Sequence, residues 1–241
     1  MKKYFTILIT LLIICIGVGS FAVYKIIEEK REVFEAETLS SEFLKYSPAE
    51  YFENNYTYKE IYNEFLPKLE EMKNINSDVI GWLYIPLTNI NYPVLLGEDN
   101  SYYLTHSTDN KYSAAGSVFL DKRGINDNNV IIYGHNMGRS SNVMFHDITN
   151  FCDINYFDKI KTGYFIDEDG ISELNIFAYS LTKPKTEFYD EEVSIDFIKD
   201  NSLNYREPFE GRLFTLSTCA YDYKDARGIL SCMGNMVYSE N

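Results

Sequence analysis

Three side chains in this sequence have the types and settings that thiol acyl transfer requires. Cys219 closes the apolar strand pattern Leu213-Phe214-Thr215-Leu216-Ser217-Thr218. His135 closes a second, Val130-Ile131-Ile132-Tyr133-Gly134. Arg227, eight residues beyond Cys219, opens a third apolar run. A thiolate attacks a carbonyl carbon readily. An imidazole protonates a leaving amine and deprotonates an incoming one. A guanidinium keeps its proton, so it serves as a donor to a developing oxyanion or to a substrate backbone.

Strand periodicity sets where the thiol points. Phe214, Leu216 and Thr218 share one face, and Thr215, Ser217 and Cys219 share the other. The apolar pair belongs in the core, which turns Cys219 toward a polar groove. A structural cysteine more often lies on the apolar face. The competing residues fit plainer roles. Cys232 lies inside the last apolar run as packing, and a Cys219–Cys232 disulfide would consume the nucleophile. His106 sits in a polar loop and His146 follows Met144-Phe145, so both read as structural or surface residues. With no CxxC pair and no Cys/His ligand cluster, neither a metal nor a cofactor is expected.

The elements that must carry these residues are short strands. From Asp78 onward the patterns 79–85, 90–95, 116–120 and 130–133 are separated by Asn, Asp and Gly, which reads as a barrel or sandwich. Pro93 suggests an edge or bulge in the second. A helix is expected from about Asn142, carrying Met144, Phe145, Ile148 and Phe151. Strands resume at 163–166 and 173–181 across the turn Asp167-Glu168-Asp169-Gly170, which lacks the spacing of an EF-hand loop. Residues 191–201 read as an acidic amphipathic helix in a long connection, before the cysteine strand and a last strand, 228–238. Residues 25–76 read as helical, with Ser47 and Pro48 at one helix start and Pro67 ending or restarting the last helix.

The N-terminal run from Tyr4 to Tyr24 carries no charge and is long enough to span a bilayer. It reads as a retained signal anchor; the competing reading is a cleaved signal peptide at Ser20-Phe21-Ala22. The flanking lysines and arginine do not fix its orientation; the short head and long C-terminal part favour an outside location for the latter. The expected division is therefore 1–24 anchor, 25–76 membrane-proximal stalk and helices, and 77–241 catalytic domain. The 241 residues carry a formal charge of -14, which disfavours a nucleic-acid partner, since phosphate binding needs a basic face; none is expected.

Together these residues resemble the sortase family, and more narrowly its class B members. Thr215-Leu216-Ser217-Thr218-Cys219 matches the family's TLxTC motif, and Arg227 falls where the family has its essential arginine. Ile132-Tyr133-Gly134-His135-Asn136-Met137, followed by Met144-Phe145, is similar to the class B histidine segment, as are Asn89 to Val94 and Asp99 to Leu104 to other class B stretches. The resemblance covers roughly residues 75–239. It implies a mainly β fold: an eight-stranded sortase-type barrel with N-terminal helices and a helix, near 191–201, inserted between the sixth and seventh strands. It implies that Cys219 attacks the carbonyl after the Thr of an NPxTx-like sorting motif to form a thioacyl enzyme. An amine of the cell-wall precursor would then resolve it, joining a surface protein to peptidoglycan. Cys219 and His135 would be largely uncharged at rest. By position Asn100, Leu104 and Ser217 match groove residues of the family; Thr218, and Tyr189 from the insertion, are expected with them. Some members carry an acid two places after the cysteine; here that place is Tyr221, and neither Asp222 nor Asp225 is assigned a role. A thiol protease that only hydrolyses, or a non-catalytic envelope-binding domain on a stalk, are the alternatives.

Overall fold

The computed structural model describes residues 2–138 and 141–240. Its strands are β1 Val79–Tyr84, β2 Asn91–Leu95, β3 Val118–Leu120, β4 Asn129–Tyr133, β5 Thr162–Asp167, β6 Gly170–Thr182, β7 Asn204–Tyr205, β8 Arg212–Cys219 and β9 Arg227–Ser239. They pair in the order β5-β1-β2-β3-β4-β8-β9-β6, and β6 pairs back to β5, so eight strands close a barrel. Two-residue β7 adds to the free side of β6. Closure removes the unpaired edges that an open sheet of this length would expose. Most pairings are antiparallel, but β4 lies parallel to β8, with Tyr133 opposite Ser217.

The barrel interior is filled by inward-facing residues such as Leu83, Val94, Ile132, Phe165, Phe214 and Leu216. A second cluster lies outside the wall, where helix α3, Tyr58–Ile75, covers Trp82 with Ile61, Phe65, Leu69 and Met72. Thr57 caps α3 reciprocally with Glu60. Pro67 does not end this helix, contrary to the expectation from its sequence. An interior proline costs about 3 kcal/mol. Burying the four apolar side chains contributes about 1.5–3 kcal/mol each, which outweighs it.

Helix α1 runs unbroken from Lys2 to Phe43, so no backbone break marks residue 24. Its stretch Ile9–Glu35 is long and apolar enough to cross a membrane. Phe43 is buried at its far end. Ser47 Oγ accepts from the N–H of Ala49 at the start of α2, Ala49–Glu53, as the Ser-Pro pair suggests.

Pro93 sits where β2 has one partner strand, since β3 pairs with Val94 and Leu95 alone. The bulge lies further along, in β1 between Val79 and Gly81 opposite Leu95 and Val94, while Pro93 stays in register with Trp82. The expected helix from Asn142 is not formed. Met144 takes φ 57° and a seven-residue 3-10 helix, His146–Cys152, follows. The reason is tertiary: Met144 N–H donates to Tyr92 Oη at 2.8 Å and Phe145 N–H to the His135 carbonyl at 2.8 Å, which forces a turn there. After it come α4, Ile154–Lys159, and the β5–β6 hairpin. Gly170 turns that hairpin at φ 148°, where a Cβ would lie 2.0 Å from the Tyr238 carbonyl oxygen. The helix in the long connection, α5, is shorter than its pattern suggests, Ile195–Asp200. It lies between β6 and β8, the sixth and seventh strands of the barrel. Ile198 and Phe188 cover Leu213 and Ile229 in a third apolar cluster.

Candidate active site

Parallel pairing delivers the ends of β4 and β8 to the same rim of the barrel. The ladder finishes with Tyr133 opposite Ser217 and the Gly134 N–H on the Ser217 carbonyl at 3.2 Å. His135 and Cys219 follow directly. Gly134 is pressed against Phe145, and a Cβ there would stand 2.6 Å from the ring. On the other side of β8, Cys219 is paired with Arg227 at the start of β9. Three neighbouring strands thus present the thiol, the imidazole and the guanidinium along one edge.

These residues line a cleft of about 590 Å³. Its walls include Asn100, Leu104, Tyr189, Ser217 and Thr218, the residues expected at a groove, together with Phe119, Tyr133, Gly134, Pro184 and Lys185. Tyr133 was legible as a neighbour of His135, two places away and so on the same side of the strand. Phe119 faces it in the β3–β4 register at a ring distance of 5.3 Å. Pro184 and Lys185 lie in the loop after β6, and no pattern in their sequence marks them.

Cys219 is half-buried, and it and the other cysteines are free thiols. Cys232 is opposite Phe214, five pairs along the ladder from Cys219, and burial pushes its thiol up. His135 Nε2 lies 2.8 Å from the Leu104 carbonyl, so it carries the proton and donates. In the neutral ring this leaves Nδ1 as the basic nitrogen. Among the described residues no carboxylate bonds to His135, and none lines the cleft. The ionisable nitrogens there belong to His135, Lys185 and Arg227. Arg227 Nη1 donates to the carbonyls of Ala226 at 3.0 Å and Asp225 at 3.4 Å. Its Nη2 and Nε–H have no protein partner among the described residues.

The face of β8 opposite the core is not an open groove throughout. Thr215 donates to Asn129 Oδ1 at 2.7 Å, and Ser217 Oγ lies 2.9 Å from Tyr189 Oη. Burial raises the Tyr189 phenol, so it stays a neutral hydrogen-bonding group. Thr218 turns inward and donates to the Gly134 carbonyl at 2.8 Å. Asn100 is held at both ends: Nδ2 donates to Asp121 Oδ2 at 2.8 Å, and Oδ1 accepts from Lys122 N–H at 2.8 Å. Burial works against the Asp121 carboxylate, but the Arg123 N–H, the Tyr133 hydroxyl and the Arg123 guanidinium outweigh it and hold its pKa down. That network fixes one wall of the cleft. His106 stacks on Tyr102 at 4.0 Å, outside the cleft lining. His146 Nδ1 reaches Asn136 Oδ1, one residue past His135.

No family model matches the chain. A curated relative, sortase B of Listeria monocytogenes, is 33% identical over 190 residues, 72% of this chain and 76% of that protein. The chain belongs to the class B sortases. A Streptococcus pyogenes class B sortase involved in pilus biogenesis has a structure that superposes with a TM-score of 0.63 at 32% identity, covering 69% of this chain and 97% of that one. The Staphylococcus aureus sortase B–substrate complex gives 0.69 at 25% identity, covering 88% and 100%. Membership in class B makes the chain a sortase, in general terms a cysteine transpeptidase, on the barrel that the family shares.

Proposed function

We propose that this class B sortase cleaves an NPxTx-like sorting motif after its Thr and joins the released acyl group to a peptidoglycan amine. The observation that carries the reading is the single cleft lined together by Cys219, His135 and Arg227. In the first step the minor thiolate–imidazolium fraction reacts: the Cys219 proton passes to His135, and the thiolate adds to the Thr carbonyl carbon. Arg227 donates to the oxyanion through its free N–H groups. The C–N bond then breaks, a thioester C–S bond remains, and His135 supplies the proton of the leaving amine. In the second step the acceptor amine adds to the thioester, His135 takes its proton, and collapse breaks the C–S bond as the new amide forms. Asn100, Leu104, Tyr189, Ser217 and Thr218 would line the path of the sorting peptide. The helix Ile9–Glu35 would hold the enzyme in the membrane, with the barrel on the outer side.

Incubating the full chain with an NPxTx-type peptide, with and without a short glycine peptide as amine, tests this. The expected product is an amide adduct seen by mass spectrometry. Hydrolysis alone at every amine concentration would convert the reading to that of a thiol protease. Cleavage by Cys219→Ala would refute the nucleophile assignment, and no cleavage by the unaltered chain would favour a non-catalytic envelope-binding role.

A further inference from the structure

We propose that Asn136 is a positioning residue that fixes His135 relative to Cys219; the proposal rests on their reading as acid–base group and nucleophile. The β4–β8 ladder stops at the bond from Gly134 to Ser217, one residue short of His135 and two short of Cys219. Beyond that point, among the described residues, no backbone–backbone bond joins the histidine segment to the cysteine strand. Side chains take over. Asn136 Nδ2 donates to the Cys219 carbonyl at 3.0 Å. Tyr221, two residues past Cys219, returns its hydroxyl to the Asn136 carbonyl at 2.6 Å. The two bonds run in opposite directions and tie residues 135–136 to residues 219–221 at two points.

The amide's own orientation is dictated. Its Oδ1 accepts from the Gly138 N–H at 3.0 Å and faces His146 Nδ1 at 3.1 Å. A flipped amide would set its NH2 against the Gly138 N–H, which can only donate, and its oxygen against the Cys219 carbonyl. With Oδ1 accepting, His146 Nδ1 carries a proton and donates. Asn136 is 6% exposed, so these bonds are shielded from water. His135 itself is braced by the Phe145 N–H on its carbonyl and by the Leu104 carbonyl on its ring. Among the described residues, Asn136 adds the one side-chain bond that refers this braced unit to the nucleophile's own residue. A misplacement of about 1 Å between reacting groups costs on the order of 10²-fold in rate.

A different role is possible for the same side chain: shaping the loop through its bond to Gly138 alone. Asn136→Asp separates the two. The carboxylate keeps both acceptances at Oδ1 and replaces the donation to Cys219 with a repulsive oxygen against that carbonyl. Tyr221→Phe removes the return bond from a side chain that is 68% exposed, so its fold is safe. With an NPxTx-type peptide and the full chain, each variant is expected to lose roughly 10- to 100-fold in kcat, with KM within about threefold. The double variant should lose less than the product of the two, because both act on one link. Wild-type kcat in Asn136→Asp and Tyr221→Phe, with Cys219→Ala inactive, would overturn the proposal alone. Losses that multiply fully in the double variant would also overturn it. Cleavage by Cys219→Ala would instead bring down the reading beneath it.

Discussion

Arg227 commits Nη1 to the carbonyls of Ala226 and Asp225, which aims the rest of the guanidinium away from its own loop. A donor that strengthens only as charge develops acts on turnover more than on binding. Arg227→Ala is therefore expected to lower kcat by about 10²–10³-fold, the usual cost of an oxyanion donor, with KM little changed. Steady-state kinetics with a sorting peptide checks this; a rise in KM at constant kcat would assign Arg227 to substrate binding instead. Asp167 gives a second test at this scale. Burial pushes its carboxyl up to about 6, against the N–H groups of Asp169 and Gly170 that favour the charged form, and Asp169 adds repulsion. A raised carboxyl pKa means the folded state holds the proton more tightly than the unfolded state. Its contribution is fully present below the unfolded value and is lost as pH rises through about 6. Asp167→Asn should thus stabilise the chain by up to about 2–3 kcal/mol at pH 7, an advantage that shrinks as pH falls toward 4. Denaturant titrations across that range read it directly. The sequence made Cys219, His135 and Arg227 visible because each ends or begins an apolar strand. It hid Asn136 and Tyr221 as functional candidates, because an amide and an exposed phenol acquire meaning only from the backbone groups they meet.

Helix α3 shows how an element can override a residue preference. Pro67 leaves the Asn63 carbonyl without its helical donor, yet Phe65 and Leu69 on either side are fully buried against the barrel. Pro67→Ala restores the bond. Tm should rise by about 4–8 °C, from a gain of about 2 kcal/mol after the proline's benefit to the unfolded chain is subtracted. A fall in Tm would mean that the ring packs favourably where it stands. Gly134 tests the strand that leads to His135. Gly134→Ala sets a Cβ into the Phe145 ring, and overpacking of this kind costs about 1–3 kcal/mol. Activity should fall further than stability, since the displaced strand end carries the imidazole; equal losses would show that β4 absorbs the strain without moving it. Strand alternation made β1, β2, β4, β8 and β9 legible to within a residue or two. The segment after His135 was misread as helix from Asn142, because Met144, Phe145 and Ile148 are apolar at helical spacing while the turn at Met144 is set by Tyr92 and His135 far away in sequence.

For the molecule as a whole, acidity and a membrane-length helix were readable from the residues and the barrel from the family resemblance, whereas the order of the strands was not. Nothing in the pattern of β4 says that it lies beside β8 and parallel to it; only the folded chain shows that pairing. That parallel pair has a kinetic consequence. Asn136 and Cys219 meet across 83 residues and Thr218 and Gly134 across 84. By contrast Trp82, the sole tryptophan, packs against Phe65 in the nearby helix α3. Loops of such different length close at different rates, and chains of this size commonly pass through partly folded states. On dilution from denaturant, Trp82 fluorescence should recover first and transpeptidation afterwards. The nascent enzyme would then be a helix-and-hairpin scaffold whose thiol has no partner, chemically quiet until its most distant strands have found each other.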